Sequence, residues 1–253
     1  HEFGVRGNYL YVTSVKDHGL EIMDISDTGN PKHAGAFLEN NQTFMKKPHS
    51  VIFKDNYAFV SSTEDNAIQV FDISNPTDPQ PISYLKDDEK TGLKGVHGIA
   101  INGDYLYAAG TKDNALEVID ISNPNAIKHA AAVFDNEETS LKGPHSIAFK
   151  NNYIYILTAE EGLEVMDISD PVDPRHVSAY TENDHGHKFG GGHDIIISGN
   201  NIFTASYIDG LGFFDITNPI KIKSISEIHP SEENGLLSAS DLALSGNNLF
   251  AVS

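Results

Sequence analysis

The chain has 253 residues, no cysteine and a formal charge of −19, with 17 Lys and Arg against 36 Asp and Glu. Without thiols there is no disulfide framework, thiolate metal centre or Cys nucleophile, and the excess negative charge repels nucleic-acid backbones and anionic lipid surfaces. No apolar run approaches the roughly 20 residues that span a bilayer as a helix, and the start at His1 in place of Met reads as a processed or excised piece of a longer protein.

Taken from the N-terminus, one string recurs. It reads GLEIMDIS over Gly19 to Ser26, AIQVFDIS over Ala67 to Ser74, ALEVIDIS over Ala115 to Ser122, GLEVMDIS over Gly162 to Ser169 and GLGFFDIT over Gly210 to Thr217. The aspartates Asp24, Asp72, Asp120, Asp167 and Asp215 stand 48, 48, 47 and 48 residues apart. A second series, His1, His49, His97, His145 and His193, recurs every 48 residues, and Ser240 takes its place in a sixth copy.

The second copy shows what each unit builds. SVIFK (Ser50 to Lys54) and YAFVSS (Tyr57 to Ser62) are apolar runs joined by Asp55 and Asn56, which predicts a hairpin. Glu64, Asp65 and Asn66 turn the chain into a third strand, Ala67 to Ile73, and the rigid loop holding Asn75-Pro76 and Asp78-Pro79 leads to a fourth, Gln80 to Lys86. Helical periodicity is missing throughout. Four short strands per unit of roughly 40–50 residues predict an all-β fold, a β-propeller of four-stranded antiparallel blades. Five copies are complete, and the sixth ends after its second strand at Leu249 to Ser253. The expectation is a single propeller domain over residues 1–253, belonging to a longer parent of six or more blades.

These strings resemble the LVIVD repeat, a propeller-forming repeat of bacterial and archaeal secreted or cell-surface proteins with a Leu-Val-Ile-Val-Asp signature followed by Ile-Ser-Asx-Pro. Asp24, Asp72, Asp120, Asp167 and Asp215 hold the signature aspartate, and Asn75, Asn123, Asp170 and Asn218, each followed by proline, hold the Asx-Pro. The first copy departs, with Asp27-Thr28-Gly29-Asn30-Pro31, which predicts a loop of different shape. The resemblance implies a scaffold outside the cytoplasm; it implies no particular reaction.

Several candidate sites follow. If the first strand of every blade faces a central channel, the His series forms a ring at one mouth, and imidazole suits a transition metal such as Zn or Cu. Against this stands the reading that each His hydrogen-bonds the neighbouring copy's backbone and locks repeat to repeat. His185 and His187, in the unusual loop TENDHGHKFGGGHD (Thr181 to Asp194), are candidates to join the ring. Lys46, Lys94 and Lys142 precede three of the histidines by three residues and are candidates to bind an anion. His33, His129 and His176 read as exposed strand residues. The signature aspartates read as turn residues that accept backbone N–H groups two residues on. The acidic clusters Asp87-Asp88-Glu89 and Asp135-Asn136-Glu137-Glu138 read as a solvated rim, and Asn41-Gln42-Thr43 is a single glycosylation sequon.

No Gly-x-Ser-x-Gly elbow, His-Glu-x-x-His or phosphate loop is present, which leaves no catalytic residue to name. Two functions remain from the residues: an extracellular or cell-envelope scaffold that binds other proteins or copies of itself, and a metal-binding protein or metal-dependent enzyme using the His ring. An anion or carbohydrate site at the same mouth is a third.

Overall fold

The computed structural model describes residues 2–181, 189–231 and 233–253, and its regular elements are β-strands. The second copy forms the strands Pro48–Lys54, Tyr57–Ser62, Ala67–Asp72 and Gln80–Lys86, the four runs expected from its sequence. Each of the five complete copies makes a four-stranded sheet whose strands are neighbours in chain order. The sixth makes a two-stranded sheet of Asp241–Ser245 with Asn248–Val252. The fold class is therefore that of a β-propeller, all-β and built from repeated four-stranded antiparallel blades. Among the described residues no helix is long and apolar enough to cross a membrane.

Local chemistry explains why every copy folds alike. The two-residue turns after the first strand place Gly7, Asp55, Gly103, Asn151 and Gly199 at positive φ, a conformation open to Gly and tolerated by Asp and Asn. Where the third strand meets the fourth, the register slips by one residue between Ile22 and Met23, and again between Val70 and Phe71, Val165 and Met166, and Phe213 and Phe214. The slip is a repeat-encoded bulge, which bends the fourth strand of these four sheets.

The signature aspartates behave as the sequence predicts. One carboxylate oxygen of each accepts the N–H two residues on, from Ser26, Ser74, Ser122, Ser169 and Thr217, at 2.7–2.9 Å. These bonds hold all five carboxyls below their ordinary range, the N–H leading at Asp24 and the Ser or Thr hydroxyl at the other four. The loop of the first copy is a correction. Asp27 accepts the Gly29 N–H at 3.0 Å and its carbonyl accepts the Asn30 N–H, as Asn75 does with Thr77 and Asp78, so the turn keeps its shape without the proline. The Asx side chain, rather than the ring, makes this turn.

The chain folds as two compact units, His1–Asp113 with Glu117–Ala132, and Asn114–Leu116 with Val133–Ser253. In the first, Tyr11, Ile22, Val51, Val60 and Phe71 form one buried cluster, and Phe59, Val70, Leu106 and Ile119 belong to another. In the second, Tyr155, Leu163, Phe189, Ile202 and Phe214 are buried together. Each large apolar side chain so buried contributes about 1.5–3 kcal/mol.

Polar bonds tie successive copies within each unit. Thr13 Oγ1 donates to the His49 carbonyl at 2.7 Å, and Ser61 Oγ to the His97 carbonyl at 2.6 Å. Arg6 reaches Asn56 Oδ1 at 3.0 Å, and Lys54 Nζ reaches the Gly103 carbonyl and Asp104 at 2.8 and 2.5 Å. In the second unit Lys150 repeats this contact with Gly199 and Asn200, and Ser178 Oγ donates to the Pro219 carbonyl at 2.6 Å.

Ser61 tests the importance of these ties, because its fully buried hydroxyl also accepts the Ser50 N–H at 3.0 Å. Ser61→Ala removes both bonds inside the core and is expected to lower unfolding stability by about 1–3 kcal/mol in urea denaturation. An unchanged urea midpoint would show that the Ser61 bonds add nothing to the packing of these two copies.

Candidate functional site

Each residue of the His series that is described sits at the start of its copy's first strand, next to the loop arriving from the preceding copy. In the first unit the His49 and His97 rings meet edge-on with centroids 4.5 Å apart. His49 is buried, with Nδ1 3.4 Å from Glu2 Oε1. His97 Nδ1 lies 2.6 Å from the Gly95 carbonyl and 2.9 Å from Thr111 Oγ1. In the second unit the His145 and His193 rings are 4.1 Å apart. His145 Nδ1 donates to the His193 carbonyl at 3.0 Å, and His193 Nδ1 to the Ser240 carbonyl at 2.6 Å. Because a carbonyl only accepts, each of these two rings carries a proton on Nδ1, and Nε2 of His193 lies 2.9 Å from the Tyr207 hydroxyl. Beside them Asp194 links three copies, accepting Ser146 Oγ at 3.1 Å and the Leu242 N–H at 2.9 Å. His1, His185 and His187 lie outside the described residues.

The candidate lysines are all engaged with acids. Lys46 lies 4.0 Å from Glu39, Lys94 lies 3.2 Å from Asp113 and 3.9 Å from Asp87, and Lys142 lies 2.6 Å from Glu161. Their charge-assisted bonds raise the ammonium pKa of Lys94, through Asp113, and of Lys142, through Glu161. Of the three, Lys94 lines a cleft of about 520 Å³ in the first unit, whose wall also includes Lys47, Glu64, Asn66, His97 and Lys112. Lys47 and Lys112 were not singled out by the three-residue spacing to histidine. The signal for Lys47 was nonetheless in the repeat: Lys47 has φ 52° where the aligned residues Gly95, Gly143 and Gly191 have 61°, 65° and 69°. A left-handed non-glycine residue costs about 1–2 kcal/mol. The acidic clusters fold their own loops: Asp87 accepts the Leu93 N–H, Asp135 the Leu141 N–H, and Asp88 the Lys90 N–H.

A family model for the LVIVD repeat matches residues 3–38, 47–84, 95–130 and 144–182, together more than half of the chain. The chain belongs to the LVIVD repeat family. No curated protein matches it significantly. Among solved structures it is similar to a functionally unknown protein from Desulfotomaculum acetoxidans, with TM-score 0.74 and 12% identity over 98% of this chain and 77% of that one. It is similar also to the periplasmic gluconolactonase PpgL of Pseudomonas aeruginosa, with TM-score 0.73 and 12% identity over 98% and 70%. A third is BamB of Moraxella catarrhalis, with TM-score 0.63 and 14% identity over 99% and 66%. The chain thus spans about two thirds to three quarters of these structures, and at such identities the likeness establishes the fold alone.

One recurring group of this LVIVD protein has contacts that its sequence reading did not include. His33 and His176 are the exposed strand residues expected and His129 is half-buried, but each also places Nδ1 2.6 Å from a glutamate on the adjacent strand, Glu21, Glu117 and Glu164. Glu117 and Glu164 are fully buried, and their second oxygens accept the N–H groups of Gly92 and Ser140 in the loops that enter their copies. The second copy makes the same clamp with a neutral amide, Gln69 Oε1 accepting the Phe44 N–H at 3.2 Å. Aligning the copies exposes the Glu–His spacing of 12, but not the burial that gives the pair its character.

Burial pushes the carboxyls of Glu117 and Glu164 up to about 7 against an ordinary 4.5, their hydrogen bonds to Gly92 and His129 and to Ser140 and His176 opposing part of the rise. The folded chain therefore holds these protons more tightly than the unfolded one. The stabilisation is complete below about pH 4.5 and lost by about pH 7. It amounts to about 3 kcal/mol per carboxyl. Thermal unfolding followed across this window is expected to show Tm falling as pH rises, and Glu117→Gln with Glu164→Gln to flatten the profile. Parallel profiles for the two proteins would contradict the assignment.

Proposed function

We propose that the chain is a binding and assembly scaffold of the cell envelope or cell exterior, docking proteins, including further copies of itself, on the rim that carries the inter-copy loops. The supporting observation is an apolar group in the second unit, where Tyr207, Ile208 and Leu237 are 41%, 68% and 64% exposed. The segments bearing them are braced: Ile208 N–H donates to the Gly190 carbonyl at 3.0 Å and Ser238 N–H to the Tyr207 carbonyl at 3.2 Å. Asp209, the charge next to them, is turned inward to accept the Gly190 N–H at 2.7 Å. Exposed aromatic and aliphatic side chains on hydrogen-bonded segments of an acidic molecule have the composition of an interface core. Family membership and the periplasmic setting named for one structural neighbour support a place outside the cytoplasm.

A photo-cross-linking residue placed at Ile208 of the full-length protein in its own cells is expected to give a discrete adduct, and one at the exposed Lys128 none. Leu237→Asp should abolish the Ile208 adduct while leaving Tm within about 1–2 °C, as a surface change does. Equal labelling from both positions, or no adduct from either, would defeat this reading.

A second reading, a transition-metal site, rests on the His145 and His193 pair. Their Nδ1–carbonyl bonds are the kind of support that orients metal-ligating imidazoles, and Zn or Cu suits such nitrogens. Equilibrium dialysis of chelator-treated protein against Zn is its test, with saturable uptake lost in His145→Asn and His193→Asn; no saturable uptake in the intact protein removes it.

A further inference from the structure

We infer that the cleft where the second and third copies meet binds a small, multiply charged oxyanion, a polycarboxylate or a phosphate ester. This goes beyond the scaffold reading and does not rest on it. The wall carries three lysines, Lys47, Lys94 and Lys112, against one glutamate, in a chain whose net charge is −19. Lys47 is paired with Glu64, and Lys94 with Asp113 and Asp87, so the wall gathers ammonium groups on a chain whose field otherwise turns anions away, and Lys112 adds its charge outside these pairs.

Comparison among the copies shows that two of these lysines are departures from the repeat. Lys112 aligns with Glu64 and Glu160 in the adjacent copies, a change from carboxylate to ammonium at one register. Its stem packs where Gly95 has no side chain: a Cβ there would meet Lys112 Cγ at 2.8 Å. Lys47 keeps a left-handed backbone at a register where three copies have glycine. Strain retained where the repeat offers a relaxed alternative marks a functional position, and the side chain this strain carries lines the cleft.

The remaining wall suits an oxyanion as well. Glu64 at 3.1 Å from Lys47, and Asp113 at 3.2 Å from Lys94, hold the two ammonium groups in place. The Gly95 carbonyl and Thr111 hold the His97 ring, and Thr63 and Asn66 add neutral polar groups. Ammonium groups already drawn to one wall by these pairs have less freedom to lose when an anion binds.

The test is calorimetric titration of the whole chain with citrate and with inorganic phosphate, the two arms separating carboxylate from phosphate recognition, and with glucose as neutral control. Saturable binding of at least one anion at about millimolar affinity or tighter is expected, with none of glucose. Lys112→Glu, which restores the charge of the neighbouring copies, should weaken binding about tenfold or more, and Lys142→Ala should leave it unchanged. Lys47→Gly should weaken binding while raising Tm, since it relaxes the backbone. No anion binding in protein with a native circular dichroism spectrum overturns the inference, as does full affinity in Lys112→Glu or a Tm gain in Lys47→Gly without loss of affinity. The Ile208 cross-link is indifferent to all three variants, so its loss and the loss of anion binding report on different proposals.

Discussion

The backbone carbonyls of His49, His97, His193 and Ser240, where the first strand of a copy begins, are each satisfied by a side chain of the preceding copy, and the way this is done bears on the side chains nearby. A buried carbonyl left unpaired is costly, so the bond recurs even where the donor changes. In the first unit the donor is a hydroxyl on the second strand, Thr13 for His49 and Ser61 for His97. At the aligned positions later in the chain stand Leu157 and Ala205, which have no hydroxyl. There the imidazoles take over, His145 donating to His193 and His193 to Ser240. One residue type at one register therefore has two occupations. Where the hydroxyl makes the tie, the ring contacts other groups, Glu2 for His49 and Thr111 for His97.

The same substitution of means for a constant end runs through the loops. The loop entering a copy is clamped by a side chain on that copy's third strand, through an amide at Gln69 and through buried carboxyls at Glu117 and Glu164. The clamp is indifferent to charge, but the carboxyl version brings a proton equilibrium into the core, and histidine accompanies it. Such variation is open to a repeat protein because each copy answers chiefly to its neighbours. It also lets one junction acquire chemistry that the others lack, as the lysines at Lys47 and Lys112 do.

Much of the fold was legible because its signals are local. Strand runs, Asx turns and the 48-residue spacing depend on residues close in the chain, and the structure follows them, whereas the bulge has no sequence signal and the first copy's loop is misread unless Asp27 is aligned with Asn75. The sites were less legible. The spacing of Lys46, Lys94 and Lys142 groups them as equals, yet Lys94 lines the cleft and Lys46 is held by Glu39. His129 and His176 gave no sign of the buried acids they face, because that contact runs across two strands.

By itself the amino-acid sequence determined the repeat, the four strands of each copy, their turns and membership of the LVIVD family, since each follows from backbone preference and periodicity over a few residues. Only the tertiary structure decided which carbonyl each histidine meets, which glutamates lose their water and which lysines share a wall. Those properties arise between residues some 12 to 50 positions apart, where burial and neighbouring charge, not residue type, set the chemistry.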